Sequence, residues 1–250
     1  MKQIAIAGLG VVGGGVADLL VNHAAVIEKN AGEEVRLKAV FTRTKKPDSP
    51  FASYFVSDFS EIEKNPEIDL VVETIGGCSV ALDVVTRALK AGKHVVTANK
   101  QLVAEHGLEL FALAKANGVN FLFEASVAGG IPVLNPLTRC LGANEITEVS
   151  GILNGTTNFI LTKMIREQMN FEDALKLAQQ LGYAERNPSA DVEGLDACRK
   201  ICILASLAFG THVYPDSVYT EGITKITLQD VDFADVWGGV IKLIGSVKKL

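Results

Sequence analysis

The sequence predicts an α/β protein of two parts, an N-terminal unit built on a parallel sheet and a second α/β unit of mixed, α+β character. Three observations carry this. The first 125 residues alternate short apolar strands with helices, the first strand runs straight into five glycines within eight positions (8–15), and the rhythm changes after "SVAGGIP" at 126–132.

The strands are expected at "QIAIAGL" (3–9), "VRLKAVF" (35–41), "DLVVETI" (69–75), "HVVTAN" (94–99) and "NFLFEAS" (120–126). Each is a short run of β-branched and apolar residues bounded by turn formers. Between them lie helical patterns, one from Val16–Leu20 continuing towards Glu28, then "VALDVVTRALKAG" (80–92) and "HGLELFALAKANG" (106–118). Strands separated by helices make βαβ units and a parallel sheet covered on both faces. Beyond residue 128, where a boundary between units 1–128 and 129–250 is expected, a helical "VLNPLTRCLG" precedes "ITEVSGILN" (146–154). Three further helical stretches follow, interrupted by "GYAERNPSADVEG" (182–194).

Composition narrows the function classes. At 48% hydrophobic residues and a net charge of −5, with no long basic run, the chain is expected to act on small molecules and not on nucleic acid or a membrane surface. Its longest apolar runs, such as "ICILASLAF" (201–209), are about half of the ~20 residues that span a bilayer, and no charged leader precedes them. The expectation is a cytoplasmic protein. Cys78, Cys140, Cys198 and Cys202 lack zinc-ribbon or redox spacing and read as buried apolar fillers. The four histidines, His23, His94, His106 and His212, show no metal spacing and read as structural.

Gly8, Gly10 and Gly13 spell G-x-G-x-x-G directly after a strand and at the mouth of a helix. Such a loop lets backbone N–H groups and the positive helix end meet a pyrophosphate, with the middle glycine admitting the ligand and the last one packing helix on strand. A Rossmann-type dinucleotide-binding domain follows, with Gly8, Leu9, Gly10, Val11, Val12 and Gly13 at the cofactor. Thr74, Thr97, Asn99 and Lys100, at the carboxyl ends of later strands, extend the same candidate site. The second strand ends in "FTRTKK" (41–46) without the acid that grips the ribose of NAD. Thr42 and Arg43, with Lys45 or Lys46, suit a 2′-phosphate, so NADP is favoured and NAD possible.

In the second half, "GYAERNPSADVEGLDACRK" (182–200) gathers acids and bases just before nine residues without a charge. Ser189 or Asp191 is a candidate cap for the helix that follows. Lys200 sits where water runs out, and Asp196, four residues earlier, shares its helix face. The pair is either an exposed ion pair or a functional one. Lys100 closes "HVVTANK" at a strand's carboxyl edge, where open α/β sheets bind ligands. In "LNGTTN" (153–158), Gly155 and Thr156 stand at a helix start able to hold a carboxylate or simply to cap. Glu124, before "ASVAGGIP", is an acid ahead of a glycine turn whose oxygens suit a hard cation.

Taken together, "GLGVVGGGV", "DLVVETIGG", "VVTANK", "EASVAGGIPVL", "GILNGTTNFIL", "GYAERNPSADVEGLDACRK" and "EGITKI" resemble, in order, blocks of the homoserine dehydrogenase family. The resemblance implies NAD(P)-dependent interconversion of L-aspartate 4-semialdehyde and L-homoserine on the route to threonine and methionine. It assigns proton transfer to Lys200, with Lys100 beside cofactor and substrate, and substrate binding to Glu185, Asp196, Tyr183, Gly155 and Thr156. It further implies a structural monovalent cation, often sodium, at Glu124, Val127, Gly129 and Ile131, and a homodimer formed through the second, catalytic and dimerisation domain. The chain stops at "GGVIKLIGSVKKL", where family members continue with a segment returning to the nucleotide domain. A short second domain without a regulatory domain is therefore expected. Two alternatives remain at this stage: a nucleotide-binding fragment without turnover, and a dehydrogenase for a related amino-acid semialdehyde.

Overall fold

The computed structural model describes residues 1–44 and 47–249. The chain divides into two compact units, Met1–Ile131 and Pro132–Leu250, so the division falls three residues beyond the expected position.

In the first unit, β1 (Lys2–Ala7) leads into α1 (Val11–Asn22), α2 (Ala24–Ala31) and β2 (Val35–Phe41). Then come β3 (Phe55–Val56), α3 (Ser60–Glu63), β4 (Leu70–Glu73), α4 (Ser79–Lys90), β5 (His94–Thr97), α5 (Lys100–Ala116) and β6 (Phe121–Leu122). The six strands form one parallel sheet in the order β3-β2-β1-β4-β5-β6. This is the doubly wound order, in which the chain reverses its direction of travel across the sheet next to β1 and leaves a crevice at the carboxyl ends there. Central β1 is buried from Ile4 to Ala7. One side of the core joins Ile6, Val40 and Leu37 to Ala17 of α1 and to Phe51.

Two local outcomes differ from the expectation. The first helix starts at Val11, directly out of the glycine loop, and ends at Asn22, and His23 links it to a second helix from Ala24. The strand β3 lies in a segment with no strand pattern of its own and pairs only Val40↔Phe55 and Phe41↔Val56.

The second unit holds β7 (Glu148–Gly151), α6 (Gly155–Glu167), α7 (Phe171–Gln180), α8 (Ser189–Val192), α9 (Leu195–Phe209), α10 (Leu228–Val236) and β8 (Gly245–Lys248). The "VLNPLTRCLG" segment closes in a wide helical turn at Pro136–Cys140. Strands β7 and β8 pair antiparallel, Val149 opposite Val247, and α9 packs on both. Ile160, Leu161 and Met164 of α6, Ala174 and Ala178 of α7, and Val231 of α10 share a core. Helix starts are individually capped: Asn154 for α6, Asn170 for α7, and a Thr227–Asp230 capping box for α10. The short α8, which follows Pro188, and α9, which follows Gly194 in a left-handed conformation (φ 83°), have no side-chain cap, so Ser189 and Asp191 do not cap α9 and belong to α8. The buried set of α9, Asp196, Ala197, Cys198, Ile201–Ala205, runs nearly all round the helix. No single helix among the described residues is long and apolar enough to cross a membrane.

Candidate functional site

In the first unit, the glycine loop is shaped by the sheet beneath it. Gly8 has φ 101°, and a Cβ there would lie 2.7 Å from the Thr74 carbonyl; a Cβ on Gly13 would lie 2.0 Å from the Gly8 oxygen. Both positions exclude any side chain. Around Gly10, by contrast, a Cβ would meet nothing within 4 Å. Thr74 locks the loop from below, its Oγ1 donating to the Gly8 oxygen at 2.8 Å and its N–H to Ala7 at 2.8 Å.

Beside this loop is a cleft of roughly 230 Å³ lined by Gly8, Leu9, Gly10, Thr42, Arg43 and Thr74, among others. Val11 and Val12 lie in the first turn of α1; the helix has no side-chain cap, and that turn holds no acidic residue. The first N–H groups of a helix have no intrahelical acceptor, so this end is suited to a phosphate. Arg43 is exposed and Thr42 half-buried at the end of β2, while Lys45 and Lys46 lie outside the described residues.

A second set of groups braces the carboxyl edge. Glu73, fully buried at the end of β4, accepts from the Ile75 N–H at 2.7 Å and from Thr97 Oγ1 at 2.5 Å. Thr97 in turn accepts from the Asn99 N–H at 2.9 Å, and Asn99 caps α5 and donates to the Gly77 carbonyl at 2.6 Å. Thr97 and Asn99 are therefore buried framing groups. Lys100 is the first residue of α5 and half-buried. The sequence reading missed Glu73; an acid closing an apolar strand was the available signal.

In the second unit the chemistry is gathered by side chains. Lys200 Nζ donates to Asp196 Oδ2 at 2.6 Å and to the Leu153 carbonyl at 2.8 Å. The side chains are 17% and 2% exposed, so the reading of an exposed ion pair is set aside. Asn154, also missed, organises the group. Its Oδ1 accepts from the Thr157 N–H at 2.8 Å while its Nδ2 donates to Asp191 Oδ1 at 2.6 Å and Asp196 Oδ2 at 2.8 Å. An Asn at a helix start reads as a cap, which hides the second task of its amide. Thr156 Oγ1 donates to the Tyr183 carbonyl at 2.8 Å, tying α6 to the "GYAERN" loop. Gly155, Tyr183 and Glu185 are exposed, and the Tyr183 ring packs 4.9 Å from that of Phe159.

The residues suggested for a cation lie in one short loop. Glu124 opens a tight turn (Glu124–Ser126), Val127 is buried, and Ala128 (φ 61°) and Gly129 (φ 59°) are successive left-handed residues before Ile131. A carboxylate and main-chain oxygens are the donor set of a hard cation, so the loop fits one.

The cysteines divide. Cys198 and Cys202 are buried as expected, and burial beside Cys198 pushes the Cys202 thiol up to about 12. Cys140 is exposed and Cys78 half-buried, contrary to a filler role. Lys93, at the opposite, amino edge of the sheet, donates to the Asn65 and Ile68 carbonyls, and burial holds its pKa below the ordinary lysine value.

Comparison with known proteins agrees with this layout. Residues 8–124 match the family model for the homoserine dehydrogenase NAD binding domain, and 132–250 match that for homoserine dehydrogenase. Homoserine dehydrogenase of Pseudomonas aeruginosa is 46% identical over 248 residues, covering 99% of this chain and 57% of that protein. A crystal structure of a homoserine dehydrogenase from Thiobacillus denitrificans superposes with a TM-score of 0.95 at 44% identity, over 100% of this chain and 58% of that one. A putative homoserine dehydrogenase from Archaeoglobus fulgidus gives 0.89 at 35% identity, over 100% of this chain and 81% of that one. The chain thus spans a little over half the length of the first two proteins and most of the third. With an NAD binding domain and a matching second unit, the chain belongs to the homoserine dehydrogenase family.

Proposed function

We propose that this chain interconverts L-homoserine and L-aspartate 4-semialdehyde with NADP, or NAD, and that Lys200 moves the proton. The observation that carries the reading is the half-buried Lys200 ammonium, held at 2.6 Å by an Asp196 that Asn154 fixes in turn. A nicotinamide cofactor, when bound, would supply the hydride in one direction and accept it in the other.

Reduction of an aldehyde leaves negative charge on its oxygen, which needs a nearby cation and then a proton. Lys200 provides both: its charge offsets the developing alkoxide, and an Nζ proton passes to that oxygen. In the reverse direction neutral Lys200 takes the homoserine hydroxyl proton. Asp196 and the Leu153 carbonyl restrict where Nζ can point, so the proton is delivered from a defined position. Glu185 and Asp196 are assigned to the substrate's ammonium and hydroxyl end, helped by Tyr183, Gly155 and Thr156, and Lys100 to the cofactor side.

NADP preference is inferred from Arg43 and Thr42 at the cleft and the absence of an acid at the end of β2. Glu124, Val127, Gly129 and Ile131 would hold a sodium-type cation that stiffens their loop. A homodimer is part of the same reading, supported by the two-stranded β7–β8 sheet, in which each strand keeps an outer edge.

The test is homoserine-dependent reduction of NADP and of NAD by the purified 250-residue chain at mildly alkaline pH, followed by absorbance. Turnover supports the reading. Cofactor binding without turnover overturns it for this chain and leaves a nucleotide-binding fragment.

A further inference from the structure

Outside both sites, three potential metal ligands converge in the first unit. Cys78, just ahead of α4, and Glu105 and His106, on the second turn of α5, place one ligand atom each within 4.8 Å of one another, and all three are half-buried. Cys78 Sγ donates to Glu105 Oε2 at 3.3 Å. His106 Nδ1 lies 2.5 Å from Glu109 Oε1, a turn further along the helix. Metal-ligating imidazoles commonly have such a carboxylate, which fixes the ring and makes it a better ligand.

The geometry points to a binding site for a borderline divalent transition metal of the zinc class at Cys78, Glu105 and His106. A mixed thiolate, imidazole and carboxylate set selects Zn(II) or Co(II) over Mg(II) or Ca(II), which require a cage of oxygens. Three protein ligands leave a fourth, open position in tetrahedral coordination. On binding, the thiol proton of Cys78 leaves to solvent and a metal–sulfur bond forms, with no change of oxidation state. Thiolate and carboxylate charges together balance the dication. Such a metal would tie the glycine-rich turn after β4 (Gly76, Gly77) to α5, next to the Asn99–Gly77 bond that already joins them. It follows that metal loading restrains the loop at the carboxyl edge where the dinucleotide is proposed to bind.

The spacing hides this from the sequence: Cys78 is 27 residues from Glu105, and Glu105 and His106 are neighbours, so no ligand motif is written along the chain.

The experiment titrates the reduced, metal-free 250-residue protein with Co(II), reading thiolate-to-cobalt charge-transfer absorption, and then displaces it with Zn(II). One equivalent with a thiolate band is expected, absent in Cys78→Ser and weakened at least tenfold in His106→Gln. Glu109→Gln should weaken binding about tenfold to hundredfold through the imidazole. In the unaltered protein, Zn(II) should protect Cys78, and not the exposed Cys140, from alkylation read by mass spectrometry. This arm needs no variant to fold. The site is overturned by the absence of a thiolate band, by a band that persists in Cys78→Ser, or by alkylation of Cys78 that Zn(II) does not slow. None of these readouts depends on turnover, so the metal site and the proposed dehydrogenase activity fail separately.

Discussion

The two units solve the problem of placing polar groups by opposite means. In Met1–Ile131 the ligand-facing surface is mostly backbone: glycines pressed against a parallel sheet, an uncapped helix end, and side chains such as Glu73 and Thr97 that stay behind the surface and brace it. In Pro132–Leu250 charged and amide side chains are drawn into a half-buried network around Lys200, Asp196 and Asn154. The first arrangement suits recognition of a large cofactor by shape and dipole, since close backbone approach needs space more than charge. The second suits chemistry, since a charge held away from water acts more strongly on a reacting atom.

This contrast can be broken most severely at Lys200. Lys200→Ala is expected to lower kcat about 10²–10⁴-fold, the usual weight of positioned acid–base catalysis, with cofactor affinity unchanged by direct titration. Next in size is Asn154→Ala, which removes a helix cap, about 1 kcal/mol, and the amide donor to two carboxylates, about 1.5–3 kcal/mol. Urea unfolding should therefore show a loss of roughly 3 kcal/mol. Asn154→Asp keeps the cap but faces Asp191 and Asp196 with a third carboxylate, so comparing the two variants separates the contributions.

The first unit offers a sharper pair. Gly13→Ala forces a methyl into the Gly8 carbonyl and should cost about 1–3 kcal/mol in stability. Gly10→Ala meets no protein atom and should change stability by less than about 0.5 kcal/mol while weakening NADP binding. The mildest test is Arg43→Ala, expected to shift the NADP-to-NAD ratio of kcat/KM about tenfold towards NAD, about 1.4 kcal/mol for one exposed guanidinium–phosphate contact.

Features with a local signature could be read from the sequence. Apolar runs and the glycine loop pointed to a parallel sheet with a dinucleotide loop after its first strand, because strand periodicity and steric permissiveness are properties of neighbouring residues. The two-residue strand β3 and the C-terminal strand β8 were missed because partners distant in the chain make them strands: Val40 and Phe41 for one, Glu148–Gly151 for the other. The site divided along the same line. Lys200 and Asp196 stand four apart on one helix and could be paired on paper. The amide of Asn154, 42 residues from Asp196, could not. Nor could the buried state of that pair, which is set by how α9 packs on β7 and β8.

The chain of hydrogen bonds from Glu73 through Thr97 to Asn99 has a consequence for redesign. It joins the ends of two adjacent strands to the start of the next helix, and the loop at 76–78 meets it at the Gly77 carbonyl, which accepts from the Asn99 amide. Frame and loop are thus separable parts. A loop of different length or cofactor preference could be grafted between Ile75 and Ser79 so long as the acid, the hydroxyl and the amide are left in place, at the cost of the Cys78–Glu105 contact. Exchanging Thr97 for isosteric Val would loosen the abutment on which every such graft must rest.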